Sequence, residues 1–294
     1  MANVTSLSDI AGQLTEASHN ADKVTVAGVC LPSGALTQLR QRIPLDFPKW
    51  RNATNEHVAY VVSLMCRESF GIAAYSIDKR QPWWAKFWAD ANSVHAKAAN
   101  ASGGSIGILK AGTLFKFLLF GESATLSVDH AIRSRALPSV RSRGGKFHIA
   151  HDLVFDSDLQ GAENIESFAE IWRSSNASRP LTASLGIEYK ATTMRVTTEQ
   201  HERLLLMPDY IAGLVQAKNS DSNTLEYSQV TVGAVAAALA QLAKSGRFVE
   251  LEAPPPVSYT DIYLDFVHLL PQGAPTWRSS GRPKGRRLPL PQAS

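Results

Sequence analysis

Three aspartates share a context that the chain's other acids lack: each ends or interrupts an apolar stretch where the backbone should turn. Asp9 follows the run Val4–Leu7 and precedes Gly12. Asp156 follows Leu153-Val154-Phe155, and Asp209 stands in Leu206-Met207-Pro208-Asp209-Tyr210-Ile211-Ala212-Gly213. Proline is best tolerated in the first turn of a helix, so Pro208 puts Asp209 beside a helix N-terminus, where a carboxylate is favoured. Carboxylates converging from two strand ends and a helix start can hold Mg²⁺, which prefers an octahedron of oxygen ligands and keeps several waters. Two such ions about 4 Å apart would activate a water and stabilise the leaving oxygen in phosphodiester hydrolysis. The alternative for each aspartate is a solvated turn former, the common role of that residue at a strand end.

Other residues suggest other chemistry. Arg133, Arg135, Arg141, Arg143 and Lys146 crowd one loop that leads into the strand ending at Asp156, and such a set can contact phosphates and give salt-sensitive binding. Gly103-Gly104-Ser105-Ile106-Gly107 matches the string of a serine-hydrolase elbow, but the alanine-rich residues before it supply no strand, so the glycines read as a connection between helices. His148 and His151 point to opposite faces of a strand and make no ligand pair; structural histidines are the better reading. Trp83, Trp84 and Trp88 with Lys86 could stack single-stranded bases, yet the helical spacing of Trp84 and Trp88 suits an anchor into the core.

The elements that must position these residues alternate. Strands are expected at Val4–Leu7, Lys23–Leu31, Gly71–Ile77, Phe147–Phe155 and Leu181–Tyr189, from β-branched or alternating apolar patterns. Helices are expected at Ser33–Arg42, Asn55–Arg67, Trp83–Ala99, about 106–133, Glu163–Arg173, Pro208–Lys218 and Val230–Lys244. This is an α/β chain with helices packed on a mixed sheet. Residues 1–253 form one domain with a helical insertion around 80–134. Pro254-Pro255-Pro256 opens a linker and packing segment over 254–270, and 271–294 is a basic tail expected to be disordered by itself.

Charge follows the same division. The formal +4 arises in the tail, where Arg278, Arg282, Lys284, Arg286 and Arg287 face no acid, so residues 1–270 hold 25 cations against 26 acids. Two cysteines, Cys30 and Cys66, cannot build a disulfide framework and read as buried thiols of a reducing compartment. With no membrane-length apolar run and no leader-like start, a cytoplasmic protein without a membrane partner is the expectation.

Several segments together resemble the domain of unknown function 3800 family. Asp9-Ile10-Ala11-Gly12 with Val24–Pro32 looks like its opening, usually Asp-Glu-Ser-Gly followed by a Gly-Gly-Val strand. Ser76-Ile77-Asp78-Lys79 and Leu153-Val154-Phe155-Asp156 look like two later strand ends, and Leu206–Gly213 is similar to its closing Leu-Gln-Leu-Ala-Asp-Tyr-Ile-Ala-Gly. The resemblance spans about residues 3–218. It implies an RNase H-like five-stranded sheet in the order 3-2-1-4-5 and a metal-dependent nuclease. Asp9, Asp156 and Asp209 would be the catalytic aspartates and would bind Mg²⁺ or Mn²⁺ as a two-ion site. Glu188 would be a fourth ligand, since the family often has an acid shortly before a lysine, here Lys190. The cations of the Arg133–Lys146 loop, with Lys190, would hold RNA or DNA. Ile10, Ala11 and Pro208 depart from the family's Glu, Ser and Ala. Those departures favour the alternative, a non-catalytic module of the same fold that binds nucleic acid or a protein partner.

Overall fold

The computed structural model describes residues 2–12, 22–101, 111–134, 147–157, 187–219 and 229–252. The Ser105 loop, the helix expected over Glu163–Arg173, the segment 254–270 and the tail 271–294 lie outside these residues.

The centre of the architecture is β1 (Ala2–Ala11), which pairs antiparallel with β2 (Lys23–Pro32) and parallel with β4 (Phe147–Asp156). Outward from these, β3 (Gly71–Asp78) is antiparallel to β2, and β5 (Ile187–Thr197) is parallel to β4. The expected order 3-2-1-4-5 is present within a six-stranded mixed sheet, β5-β4-β1-β2-β3-β6. The sixth strand, β6 (Phe248–Glu252), corrects the expectation of five. Its sequence FVELE is short and carries two acids, as suits an edge strand beside β3 directly after a helix.

Helices cover both faces of the sheet. On one face lies α5 (Leu206–Asn219), backed by α2 (Asn55–Glu68) and α6 (Val232–Lys244), with α1 (Leu36–Arg42) nearby. Val58, Val61, Val62 and Met65 of α2 form the apolar face its spacing predicts, and they share a core with Tyr210, Ile211, Leu214 and Val215. On the other face α4 (Ala111–Arg133) crosses β1, β2 and β3, and α3 (Pro82–Ala101) packs on α4. Trp84 and Trp88 are only 2% and 7% exposed, so they anchor α3 in the interior and form no stacking platform.

β1 is longer than its apolar run because buried serines carry it on. Ser8 Oγ donates to the Phe120 carbonyl at 3.0 Å and Ser6 Oγ to the Ala124 carbonyl at 3.4 Å, both on α4. Leu7, between them, belongs to the core on the α5 side. Alternation then puts Asp9 on the α5 face. On β4, Phe155 meets Phe117 and Phe120 of α4, while Val154 joins the α5-side core, so Asp156 also takes the α5 face. Residues 181–186 of the strand expected over Leu181–Tyr189 lie outside the described residues; from Ile187 the strand continues past Tyr189 to Thr197, where exposed Thr193 and Arg195 suit an edge strand with one wet side. Among the described residues no helix is long and apolar enough to cross a membrane. Cys30 is buried, Cys66 is half-buried and both are free.

Candidate functional site

The last registered pair between β1 and β4 is Ser8 with Phe155, so Asp9 and Asp156 follow side by side at the carboxyl ends of two parallel strands. Asp156 in turn stands opposite Thr197, the end of β5, and Glu199 lies two residues beyond. Oxygens of Asp9, Asp156 and Glu199 come within 4.8 Å of one another. Ligands of open α/β sheets bind at this end of the strands. Three carboxylates this close could hold a hard divalent ion, whose octahedron sets its oxygens roughly 3–4 Å apart.

Asp209 enters from α5, whose first turn accommodates Pro208 because the first amides of a helix have no intrahelical partner. A buried carboxylate pins the approach to that helix. Glu202 takes Nε and Nη2 of Arg40 at 2.9 and 2.5 Å and Nη2 of Arg195 at 2.7 Å, and it accepts from the Leu204 N–H at 3.4 Å. Burial alone would raise its pKa, but the two guanidinium groups hold it below the ordinary value. The turn that carries Glu199 is therefore tied to β5 through Arg195 and to α1 through Arg40.

A second loop closes over the same helix. Tyr210 Oη donates to the Pro48 carbonyl at 3.0 Å, the Trp50 N–H donates to Asp209 Oδ2 at 2.8 Å, and the two rings meet edge to face with centroids 5.9 Å apart. Trp50 can lie there because residue 213 is glycine; a Cβ at that position would stand 2.3 Å from the indole. Lys49, between these contacts, makes an ion pair with Glu199.

The electrostatics reflect the crowding. Burial, then the charges of Asp209 and Asp156, push Asp9 well above the usual carboxylate range, against the Ile10 N–H that donates to it at 2.7 Å. Burial raises Asp209 to about 6, with Glu199 and Asp156 adding to it and the Trp50 N–H and Lys49 opposing. Burial would lower Lys49, but its bond to Glu199 and the charges of Asp156 and Asp209 leave it raised. The cluster sets four carboxyl groups, Asp9, Asp156, Glu199 and Asp209, against the single ammonium of Lys49.

The structure therefore brings together Asp9, Asp156 and Asp209 and adds Glu199 and Lys49, which the sequence analysis misses. Glu199 sits in a polar turn, Thr197-Thr198-Glu199-Gln200, where nothing local marks it out, and Lys49 lies in a proline-flanked loop some 150 positions from its partner. Glu188 is not brought to them. It pairs in register with His148 near the amino end of β4, its carboxylate 3.2 Å from His148 Nδ1, about 25 Å of strand from Asp156. Lys190 lies at that same end, as the extra residue where the β4–β5 register shifts.

The cations also divide differently from the expectation of a loop beside the acids. Exposed Arg133 ends α4 near Val4, at the amino end of β1, and β4 starts at Phe147 on that side, about 30 Å from Asp156. Arg135, Arg141, Arg143 and Lys146 lie outside the described residues. His151 is structural: its Nε2 is 2.8 Å from Ser6 Oγ, and burial lowers its pKa to about 3, which keeps it neutral. No protein-family model, curated protein or solved structure matches the chain, and its likeness to the domain of unknown function 3800 family rests on its short acid-bearing segments alone.

Proposed function

We propose that the chain is a divalent-metal-dependent nuclease of RNase H-like architecture. The convergence of Asp9, Asp156 and Glu199 at three parallel strand ends, with Asp209 beside them, is the observation that carries this reading. The strand order β5-β4-β1-β2-β3 supports the architecture, being the one that the family resemblance implies. Asp9, Asp156 and Glu199 would hold Mg²⁺ or Mn²⁺, and Asp209 would add charge to the pocket wall. A bound divalent ion would supply an activated water and charge stabilisation for the leaving oxygen. Lys49, with a side chain 48% exposed and paired with Glu199, is open to a phosphate beside the carboxylates. Purified protein with Mg²⁺ or Mn²⁺ should cleave labelled RNA or DNA, and Asp156→Asn should abolish cleavage. Equal activity in the variant would sink the assignment.

The Lys49–Glu199 ion pair favours a second reading, a binding module of the same fold whose acids are partly neutralised from within. Calorimetry separates the two: nucleic acid binding without any uptake of Mn²⁺ would select the module.

A further inference from the structure

Away from the acid cluster, the loop before α2 and the start of that helix form a separate hollow. Pro44, Phe47, Pro48, His57 and Tyr60 line it, exposed Asp46 and Glu56 complete its wall, and it encloses about 430 Å³. Its rings are held in place. Phe47 meets His57 edge to face with centroids 5.0 Å apart, meets Tyr60 at 5.7 Å, and rests on buried Tyr210 at 5.9 Å. The Pro48 carbonyl accepts from Tyr210 Oη at 3.0 Å, and the Thr54 N–H donates to His57 Nδ1 at 3.1 Å, so the hollow is formed before anything enters it.

Its surroundings combine exposed apolar surface with unpaired acids. Leu45, between two lining residues, is 85% exposed, and Tyr60 is 41% exposed. Of the nearby cations, Arg42 pairs with Glu68 and Lys49 with Glu199, and Arg51 does not line the hollow. Asp46 and Glu56 form no ion pair among the described residues. Charge and shape therefore ask for a cationic segment with flat apolar faces.

This chain has one. Arg286-Arg287-Leu288-Pro289-Leu290-Pro291 lies outside the described residues, in a stretch from 271 onward with five cations and no acid. Proline-rich segments dock in aromatic-lined grooves as polyproline helices, which lose little entropy on binding. Between Glu252, at the end of β6, and Arg286 stand residues 253–285, a length that reaches up to roughly 110 Å, several times the roughly 18 Å radius of gyration of such a domain. A second copy of the fold is a poorer occupant, because seven lining residues fall far short of the roughly 20–30 a side that a stable interface takes.

We propose that residues 286–291 of this chain dock as a polyproline helix in the hollow of Phe47, His57 and Tyr60, with their arginines on Asp46 and Glu56. Three residues per turn put Leu288 and Pro291 on one edge, against the rings, and leave Arg286 and Arg287 to meet the two carboxylates. The inference is independent of the nuclease reading, since none of these residues belongs to the acid cluster.

Photo-cross-linking in the full chain tests it. Leu290→p-benzoylphenylalanine, irradiated and read by mass spectrometry, should join position 290 to residues 44–60. Mixing isotopically heavy and light chains before irradiation should give same-label products only. Mixed-label products would put a second copy's segment in the hollow, and cross-links elsewhere or none would leave it to another protein's proline-rich segment; each overturns the inference. Asp46→Lys combined with Glu56→Lys should cut the yield at 44–60 about fivefold, the scale of two lost exposed ion pairs. An unchanged yield in that folded variant overturns the arginine contacts. Because cross-linking with the hollow unaltered decides by itself, the test survives a variant that fails to fold.

Discussion

Asp9 is buried and accepts the Ile10 N–H, and burial together with the charges of Asp209 and Asp156 disfavours its ionised form. Without a cation the folded state carries an electrostatic cost, which a pocket selected only for stability would not keep. Asp9→Asn should therefore raise the melting temperature of the metal-free protein by a few degrees and abolish Mn²⁺ binding. A variant that melts lower and binds the ion unchanged would show that the carboxylate has another purpose. Glu199 and Glu188 make a paired comparison. Glu199→Gln should weaken Mn²⁺ binding by at least about tenfold, the scale of losing a ligand or its support. Glu188→Gln, about 25 Å away beside His148, should leave it unchanged.

Elements deliver these residues through close contacts, and glycine marks two of them. A Cβ on Gly28 would stand 2.3 Å from the Ser123 carbonyl, so α4 lies on β2 without room for a methyl group. Gly28→Ala should cost about 1–3 kcal/mol, measured by urea unfolding, whereas Gly34→Ala, with open space around it, should be near neutral. Gly213→Ala acts at a distance: it favours the helix by about 1 kcal/mol but displaces the Trp50 indole, which frees the Lys49 loop. The expected result is altered tryptophan emission and changed Mn²⁺ affinity with helicity retained. Such contacts also explain which parts of the fold are legible in sequence. Asp9, Asp156 and Asp209 end apolar runs, and the strands and helices that bear them follow ordinary periodicity. The second half of β1 is opaque because Ser6 and Ser8 are polar by type yet buried under α4 carbonyls. Glu199 and Lys49 are opaque because their pairing depends on two loops meeting over α5, a relation that no local spacing encodes.

Across the whole molecule, the two faces of the sheet hold buried groups that respond oppositely to acid. On the α4 face, His151 has its pKa lowered by burial to about 3, against about 6.5 in an unfolded chain. Between those values the unfolded chain binds a proton that the folded one refuses, so stability falls as pH falls, by about 1.4 kcal/mol per pH unit. On the α5 face, burial raises Asp209 to about 6, so between about 4 and 6 the folded chain binds a proton that the unfolded one releases. Stability from Asp209 is therefore present in acid and lost as pH rises through about 6, and Asp9 is shifted in the same direction. In metal-free protein His151 offsets one of these carboxyls over that window. His151→Gln should remove the offset, making the fall in stability with rising pH steeper than in the unaltered protein by about 1.4 kcal/mol per unit. Asp209→Asn should change the slope by a similar amount in the opposite sense. Urea midpoints at pH 4.5, 5.25 and 6 suffice to measure the slopes, and parallel profiles for all three proteins would contradict the burial of both groups. A divalent ion should bring the carboxyl contribution under its own control: binding requires ionised Asp9, so Mn²⁺ affinity should drop as pH falls, and saturating Mn²⁺ should leave the His151 slope exposed.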